Sequence, residues 1–155
     1  MSEEKVLRAR DLMKTDVVTL RPDTSVEEAG RVFIEKDISG APVVSKDGTL
    51  YGIVTENDLI SKEKRFHIPT IIRIFDAIIP LESDKKVEEE IKKMTATTVG
   101  EICTRDVITI TEDTDINEIA TIMTERRVHL LPVMKEGKIV GIVGKKDLIR
   151  GLSGL

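Results

Sequence analysis

The sequence predicts an α+β (α/β-like) fold made of two β-α-β-β-α units related by a pseudo-two-fold axis, with a helical and apolar insertion between them. The main observation is an internal repeat, in which residues 16–60 resemble residues 106–149 and 16 of the 44 aligned pairs are identical. The alignment shifts by one residue at Asp47. A second observation is size, because a unit of roughly 60 residues buries only about 60% of its unfolded surface and is marginal alone. We therefore expect the two units to pack together.

The repeat divides the chain into three parts. Residues 1–60 hold repeat one with an N-terminal segment, residues 61–97 form the insertion, and residues 98–155 hold repeat two. All three are expected to form one module, because 155 residues make one ordinary domain. The seam between two packed copies is the natural place for a ligand.

Each copy begins with a short apolar run that is followed by an amphipathic pattern. Val17–Leu20 and Val107–Ile110 are rich in β-branched residues, which is typical of buried strands. Helices follow Thr24 and Thr114, because the apolar residues there are spaced i, i+3, i+4 and i+7. Thr24 and Glu27 predict a capping box at the start of the first helix.

Two further strands and a closing helix complete each copy. The second strands are Ala41–Val44 and Leu131–Met134, and the third strands are Leu50–Val54 and Ile139–Val143. Short turns that contain glycine join them, which predicts antiparallel pairs. The first and second strands should be parallel, because a helix connects them. Closing helices are predicted to begin near Glu56 and Lys145.

The insertion has an apolar first part, residues 66–81, and a charged second part. A helix over Ile71–Ile79 is predicted, with extended structure as the alternative. One interpretation is that the insertion covers the core or a dimer interface. The other is that it closes over a ligand as a lid.

Composition excludes several classes of function. The chain carries 24 Lys and Arg against 28 Asp and Glu, for a net charge of −4, which argues against nucleic acid as the main partner. Its single cysteine excludes an intramolecular disulfide and a cysteine-rich metal site. No secretory signal and no membrane-spanning apolar stretch is recognised, so a cytoplasmic protein without membrane insertion is expected. No Gly-rich phosphate loop, nucleophile elbow or zinc-protease motif indicates an enzyme.

The repeated motifs resemble a known family. The order DVVTL, DTSVEEA, ISGAPVV and GIVT-x-x-DL, found twice over roughly residues 6–60 and 96–150, resembles a tandem pair of cystathionine-β-synthase (CBS) domains, also called a Bateman module. This resemblance implies a regulatory module that binds AMP, ADP, ATP or S-adenosylmethionine in clefts between its repeats. It also implies a disc-like homodimer and a regulated enzyme or transporter, perhaps on another chain.

Asp58 and Asp147 are the residues to which the resemblance assigns the contact with ribose hydroxyls. Thr55-x-x-Asp58 is itself a plausible helix cap, so a purely structural role remains open. Repeat two has Gly144 where repeat one has Thr55, and the carboxylate persists without that hydroxyl. This persistence favours ribose binding over capping. Thr55 and the N–H groups of the helix would hold a phosphate.

Phosphate contacts are predicted mainly near Asp147. The basic turn before the second strand of repeat two resembles one in the γ subunits of AMP-activated kinases, where a histidine and an arginine contact phosphates. His129 matches the histidine, but Leu130 stands in place of the arginine. A surface histidine without a ligand is the alternative. Lys145 and Lys146 supply further positive charge, although two exposed lysines are also consistent with simple solvation. The cleft at Asp147 is therefore expected to be the better one for phosphates.

The adenine pocket is predicted from the resemblance alone. Around Asp58 it would comprise Val17, Val18 and Ile38, and around Asp147 it would comprise Val107, Ile108 and Val128. From across the pseudo-two-fold axis, Thr24 and Ala29 would face Asp147, while Thr114 would face Asp58. All of these residues would also suit a plain hydrophobic core. A ligand-free dimerisation scaffold is therefore the competing class of function.

Overall fold

The computed structural model describes residues 5–65 and 97–154, and all structural statements below refer to these residues. The helices are α1 (Ala9–Leu12), α2 (Val26–Lys36), α3 (Glu56–Arg65), α4 (Val99–Ile102), α5 (Ile116–Glu125) and α6 (Lys145–Leu152). The strands are β1 (Gly40–Val44), β2 (Leu50–Thr55), β3 (Ile110–Thr111), β4 (Leu130–Lys135) and β5 (Lys138–Gly144). The predicted helix over Ile71–Ile79 lies outside the described residues, as does nearly all of the insertion.

The predicted second and third strands are confirmed, and their pairing is the same in both repeats. β1 runs antiparallel to β2 with Val43 opposite Gly52, and β4 runs antiparallel to β5 with Val133 opposite Gly141. Each ladder has an irregularity directly after this pair. The closing helices α3 and α6 begin at Glu56 and Lys145, as predicted.

The predicted first strands are mostly wrong in length, although their direction is confirmed. In repeat one only Leu20 joins the sheet, through a single parallel bridge to Val43. In repeat two the strand is reduced to β3, which runs parallel to β4. The residues before Leu20 leave the sheet because Lys14 pairs with Ile142 of repeat two instead.

The predicted capping box at Thr24 is also wrong, by one residue. α2 is capped by Ser25, whose hydroxyl accepts from the Glu28 N–H at 3.1 Å. Thr24 instead closes the preceding turn, where its Oγ1 accepts from the Arg21 N–H at 3.1 Å. A short polar side chain satisfies a free N–H in either place, so the residue types alone do not distinguish them.

The two repeats exchange short segments, and this exchange brings residues of both repeats together. α1, from the N-terminal segment, buries Ala9 and Leu12 in the core of repeat two. α4, which precedes repeat two in the chain, buries Val99 in the core of repeat one. Each segment is held by backbone hydrogen bonds to the foreign repeat, including Ala9 N–H to the Thr114 carbonyl (2.8 Å) and Val99 N–H to the Thr24 carbonyl (2.8 Å).

Each exchanged segment then runs across the neighbouring third strand. Lys14 exchanges two backbone hydrogen bonds with Ile142, and Thr104 exchanges two with Ile53. Arg105 adds to the second crossing, because its Nε donates to the Tyr51 carbonyl at 2.8 Å and its guanidinium lies 3.5 Å from the centre of the Tyr51 ring. Within residues 5–65 and 97–154, we find no helix with the length and apolarity that a bilayer crossing requires.

Candidate functional site: a cleft between the repeats

A cleft of about 250 Å³ opens at the carboxyl end of β2, between the two repeats. We call it the Asp58 cleft. Repeat one and the α4 segment contribute Ile53, Thr55, Asn57, Asp58 and Thr104, and repeat two contributes Asp106, Val107, Ile108, Arg127, Val128, His129 and Leu130. Its volume is slightly below the roughly 300–1,000 Å³ of small-molecule pockets, so part of a nucleotide-sized ligand would extend beyond it.

The crossing of Thr104 over Ile53 explains how this cleft is assembled. Their two backbone hydrogen bonds, of 2.9 and 2.8 Å, fix the chain beside the end of β2. The residues that follow therefore pass close to the start of α3. Sequence reasoning does not indicate this arrangement, because it depends on a contact between segments far apart in the chain.

The predicted grouping of the apolar residues is consequently wrong. Val107, Ile108 and Val128 line the Asp58 cleft rather than the surroundings of Asp147. By the equivalent crossing of Lys14 over Ile142, Val17 and Val18 follow a segment that is paired with β5, on the side of Asp147. The prediction placed Val107, Ile108 and Val128 at the other aspartate, because it assumed that each aspartate meets the first strand of its own repeat.

Asp58 lines the cleft and caps α3 through one of its two carboxylate oxygens. Its Oδ2 accepts from the Thr55 N–H at 2.8 Å and from the Thr55 hydroxyl at 3.2 Å. Among the described residues no hydrogen bond reaches Oδ1. A half-buried carboxylate with one free oxygen, placed in the first turn of a helix, can accept hydrogen bonds from a ligand's hydroxyl groups.

Asp147 is in a different state. Its side chain is only 4% exposed, its Oδ2 accepts from the Gly144 N–H at 2.8 Å, and its Oδ1 lies 3.3 Å from Arg150 Nη1. The carboxylate thus caps α6 by bonding to the backbone, which requires no hydroxyl at position 144. Capping thus explains why the carboxylate persists at position 147 without a hydroxyl at position 144, so this persistence does not by itself indicate ribose binding.

The positive groups that the sequence assigned to the surroundings of Asp147 are divided in the structure, because His129 lies in the Asp58 cleft while Lys145 and Lys146 stay beside Asp147 at the start of α6. Arg127 and His129 both line the Asp58 cleft and are exposed. Arg127 has a left-handed backbone conformation, with φ of 54°. Its counterpart in repeat one is Asp37, with φ of 52°, so the same turn carries the opposite charge beside the other repeat.

The other predicted site residues lie outside the cleft. Ala29 is fully buried in the core of repeat one, so the prediction that it contacts a ligand is wrong. Ile38 packs partly against the same core. Thr24 and Thr114 each accept a hydrogen bond from a nearby backbone N–H, at 3.1 Å in both cases. Lys145 and Lys146 are exposed at the start of α6 and do not line the Asp58 cleft.

Six residues of the cleft were not predicted as site residues. Arg127 stands two positions before His129, so the basic turn already noted in the sequence was the signal for it. Asp106 is identical to Asp16 across the repeat, which marked it as part of the shared motif. The remaining residues had no sequence signal beyond apolar or small polar character; these are Ile53, Asn57, Thr104 and Leu130.

The described part of the chain offers no metal site. It contains no group of three or more His, Cys, Asp or Glu side chains that could hold an ion together. The Asp58 cleft therefore combines apolar walls with two carboxylates, one guanidinium and one imidazole, from Asp58, Asp106, Arg127 and His129.

Comparison with known proteins identifies relatives that match nearly the whole chain. The chain is 32% identical over 158 residues to the uncharacterised protein MJ1426 of Methanocaldococcus jannaschii, covering 96% of this chain and 92% of that one. It spans smaller shares of other relatives, including 41% of the uncharacterised protein MJ1225 from the same organism. The match to such longer proteins concerns this module alone.

Solved structures show the same fold. CBSX2 in complex with AMP gives a TM-score of 0.72 at 23% identity, covering 95% of this chain and 96% of that chain. The CBS domain pair of MJ0100, in complex with 5′-methylthioadenosine and S-adenosyl-L-methionine, gives 0.70 at 24% identity, covering 97% and 98%. The family model of the CBS domain matches residues 9–65 and 99–154. The chain therefore belongs to the CBS domain family, as a tandem pair of CBS domains.

Proposed function

We propose that this chain is a regulatory module that binds an adenine nucleotide, AMP, ADP or ATP, in the Asp58 cleft. The observation that carries the proposal is the composition of that cleft, where apolar walls, a carboxylate oxygen without a hydrogen bond and a guanidinium converge from both repeats. Each of these groups matches one part of a nucleotide.

The apolar walls suit the purine. Val107, Ile108 and Val128 are half-buried side chains that line the cleft, and they offer flat apolar contact without charge. A purine ring needs such contact together with a few hydrogen bonds to backbone groups. Ile53 and Leu130 extend the apolar lining.

The polar groups suit ribose and phosphate. Asp58 Oδ1 would accept from ribose hydroxyls, while Oδ2 continues to cap α3. Arg127 would pair with phosphate oxygens, because a guanidinium can donate two parallel hydrogen bonds to them. His129 and the N-terminal N–H groups of α3 would add further donors.

Structural relatives support an adenosyl ligand in general. CBSX2 was solved with AMP, and the MJ0100 pair was solved with 5′-methylthioadenosine and S-adenosyl-L-methionine. S-adenosylmethionine is thus the alternative ligand for this chain. The exposed Arg127 favours a phosphate over the sulfonium and amino group of S-adenosylmethionine, because those groups carry positive charge.

Regulation would follow from the position of the cleft. A ligand that touches both repeats favours the arrangement of repeats in which all its contacts form, by an amount equal to its difference in affinity between arrangements. A homodimer partner or a regulated protein on another chain would respond to that change. A ligand-free dimerisation scaffold is the competing function.

Thermal stability and calorimetry with AMP, ATP, adenosine and S-adenosylmethionine test the proposal. A ligand present at about 100 times its dissociation constant should stabilise the fold by roughly 2.7 kcal/mol. Asp58→Asn keeps an oxygen for the Thr55 N–H but removes the charge, so binding should weaken while the unliganded stability changes little. If none of the four compounds binds, the scaffold function is the correct one.

A further inference from the structure

We infer that each chain binds one phosphate-bearing nucleotide, in the Asp58 cleft, and that the ion pair between Asp147 and Arg150 keeps the equivalent position in repeat two from binding a second. The inference rests on the proposed function and adds a stoichiometry and a cause to it. Three differences between equivalent positions of the two repeats carry it.

The first difference concerns the aspartates. Asp58 has a free Oδ1, whereas both oxygens of Asp147 are engaged, by the Gly144 N–H at 2.8 Å and by Arg150 Nη1 at 3.3 Å. Asp147 is also 3% exposed, so a ligand's hydroxyl groups would have to displace Arg150 to reach it. Repeat one has the exposed Ser61 at the position of Arg150, so this competitor is missing there.

The second difference concerns charge at the turn before the second strand. Arg127 and Asp37 occupy equivalent positions and share the left-handed conformation, with φ of 54° and 52°. Arg127 forms no ion pair with another described residue, so it is available for a phosphate. Asp37 at the other turn would repel the same phosphate.

The third difference concerns neutral and weakly basic donors. Repeat one supplies the Thr55 hydroxyl and repeat two supplies His129 to the Asp58 cleft. The equivalent positions near Asp147 hold Gly144, which has no side chain, and Ser39. These three differences favour the Asp58 cleft, whereas the exposed Lys145 and Lys146, at the positions of Glu56 and Asn57, are a difference of the opposite sign. We assign one ligand to each chain because Asp147 is already paired with Arg150.

Titration calorimetry on the whole chain tests this, with AMP and ATP as the probes. We expect about one nucleotide for each chain. Arg127→Asn should weaken ATP binding by at least about tenfold, because a charge-assisted hydrogen bond is lost. Asp37→Asn is the matched control at the equivalent position, and it should leave the affinity unchanged. Asparagine tolerates the left-handed conformation at both sites.

A second variant transfers the Asp58 cleft to the other repeat. Four substitutions introduce the equivalent residues on the side of Asp147: Asp37→Arg, Ser39→His, Gly144→Thr and Arg150→Ser. A Cβ atom at Gly144 would lie 3.5 Å from its nearest neighbour, in ordinary contact, so a side chain can start there. The stoichiometry should rise from about one to about two.

The outcomes distinguish a failure of this inference from a failure of the proposed function. Two nucleotides bound to the unmodified chain, or equal weakening by Asp37→Asn and Arg127→Asn, would overturn the inference and leave the proposed function standing. Failure of AMP and ATP to bind at all would overturn both. If the fourfold variant does not fold, the stoichiometry of the unmodified chain still decides how many nucleotides bind, and the comparison of Arg127→Asn with Asp37→Asn decides where the phosphate binds.

Discussion

Gly52 and Thr104 approach each other so closely that a Cβ atom on Gly52 would lie 2.6 Å from the Thr104 carbonyl oxygen. It would also lie 2.7 Å from Cys103 Sγ. No side chain fits between β2 and the segment that follows α4, because real Cβ atoms do not approach a carbonyl oxygen so closely. This contact lets Thr104 pair with Ile53 and so brings the chain into the Asp58 cleft.

We predict that Gly52→Ala destabilises the fold by about 1–3 kcal/mol, the usual cost of overpacking. Gly141 is the matched control, since it occupies the equivalent position in repeat two. A Cβ there would meet only side-chain atoms of Met13, which is flexible and able to move. Gly141→Ala should therefore cost less. Urea denaturation of both variants measures the difference, and equal costs would contradict the account of Gly52.

We predict that Leu12→Ala destabilises repeat two rather than repeat one. Leu12 is 8% exposed and packs in the core of repeat two, so its truncation should cost about 2–5 kcal/mol. Hydrogen exchange should accelerate first in β4 and β5. Ile34→Ala is a suitable control, because Ile34 is 83% exposed and its loss should change stability by less than about 0.5 kcal/mol. Faster hydrogen exchange in β1 and β2 alone would show that α1 does not pack in the core of repeat two.

We predict that Asp147→Ala destabilises the unliganded chain more than Asp58→Ala does. Both variants lose a helix cap, which costs about 0.5–2 kcal/mol. Asp147 is nearly fully buried and also loses its bond to Arg150, whereas Asp58 is half-buried and its Thr55 partner can be hydrated. Denaturant unfolding without nucleotide measures the order. An equal or larger loss for Asp58→Ala would contradict the different states of the two carboxylates.

We predict slow alkylation of Cys103. Burial raises the pKa of its thiol, with a smaller contribution from the charge of Asp58, while Arg105 acts in the opposite direction. Less thiolate is therefore present than in a free cysteine at the same pH. The thiol of the unfolded chain has the ordinary pKa, so it ionises before the folded one as pH rises. The stabilisation that the Cys103 thiol contributes to the fold is therefore present below that ordinary pKa and is lost as pH rises through the raised pKa of the folded state.

The rate at which iodoacetamide alkylates Cys103 is measured with free cysteine as an internal standard. Cys103 is the single cysteine in the sequence. The alkylation rate should rise with pH, but at higher pH values than the rate of the standard does. Cys103→Ser is the blank. A rate at pH 8 equal to that of free cysteine would show that the thiol is not shielded.

Sequence patterns were sufficient for the local parts of the fold. The i, i+3, i+4, i+7 spacing predicted α2 and α5, and the short glycine-bearing turns predicted both antiparallel pairs. They placed Thr55 and Asp58 at the start of a helix, where the structure has them. Arg150 could also have been found from the sequence, because it stands three residues after Asp147 on one helix.

The partners of these local elements could not be predicted in the same way. Four-residue helices such as α1 and α4 have too little periodicity to indicate which core they enter. The grouping of Val107 and Ile108 with Asp58 depends on the pairing of Thr104 with Ile53. Ala29 is small enough for either a cleft wall or a core. Only its burial in the core of repeat one decides between these two positions.

The sequence by itself determined the duplication, the order of the longer helices and of the strands, the antiparallel pairing, and the position of Asp58 and Asp147 at helix starts. Capping, turn formation and side-chain periodicity act over a few residues, so they are already present in the local pattern. Only the tertiary structure decided that the repeats exchange α1 and α4, that the first strands are short, and that one cleft collects Asp58, Arg127 and His129. These features arise from apolar burial and backbone pairing between segments far apart in the chain, which no local pattern records.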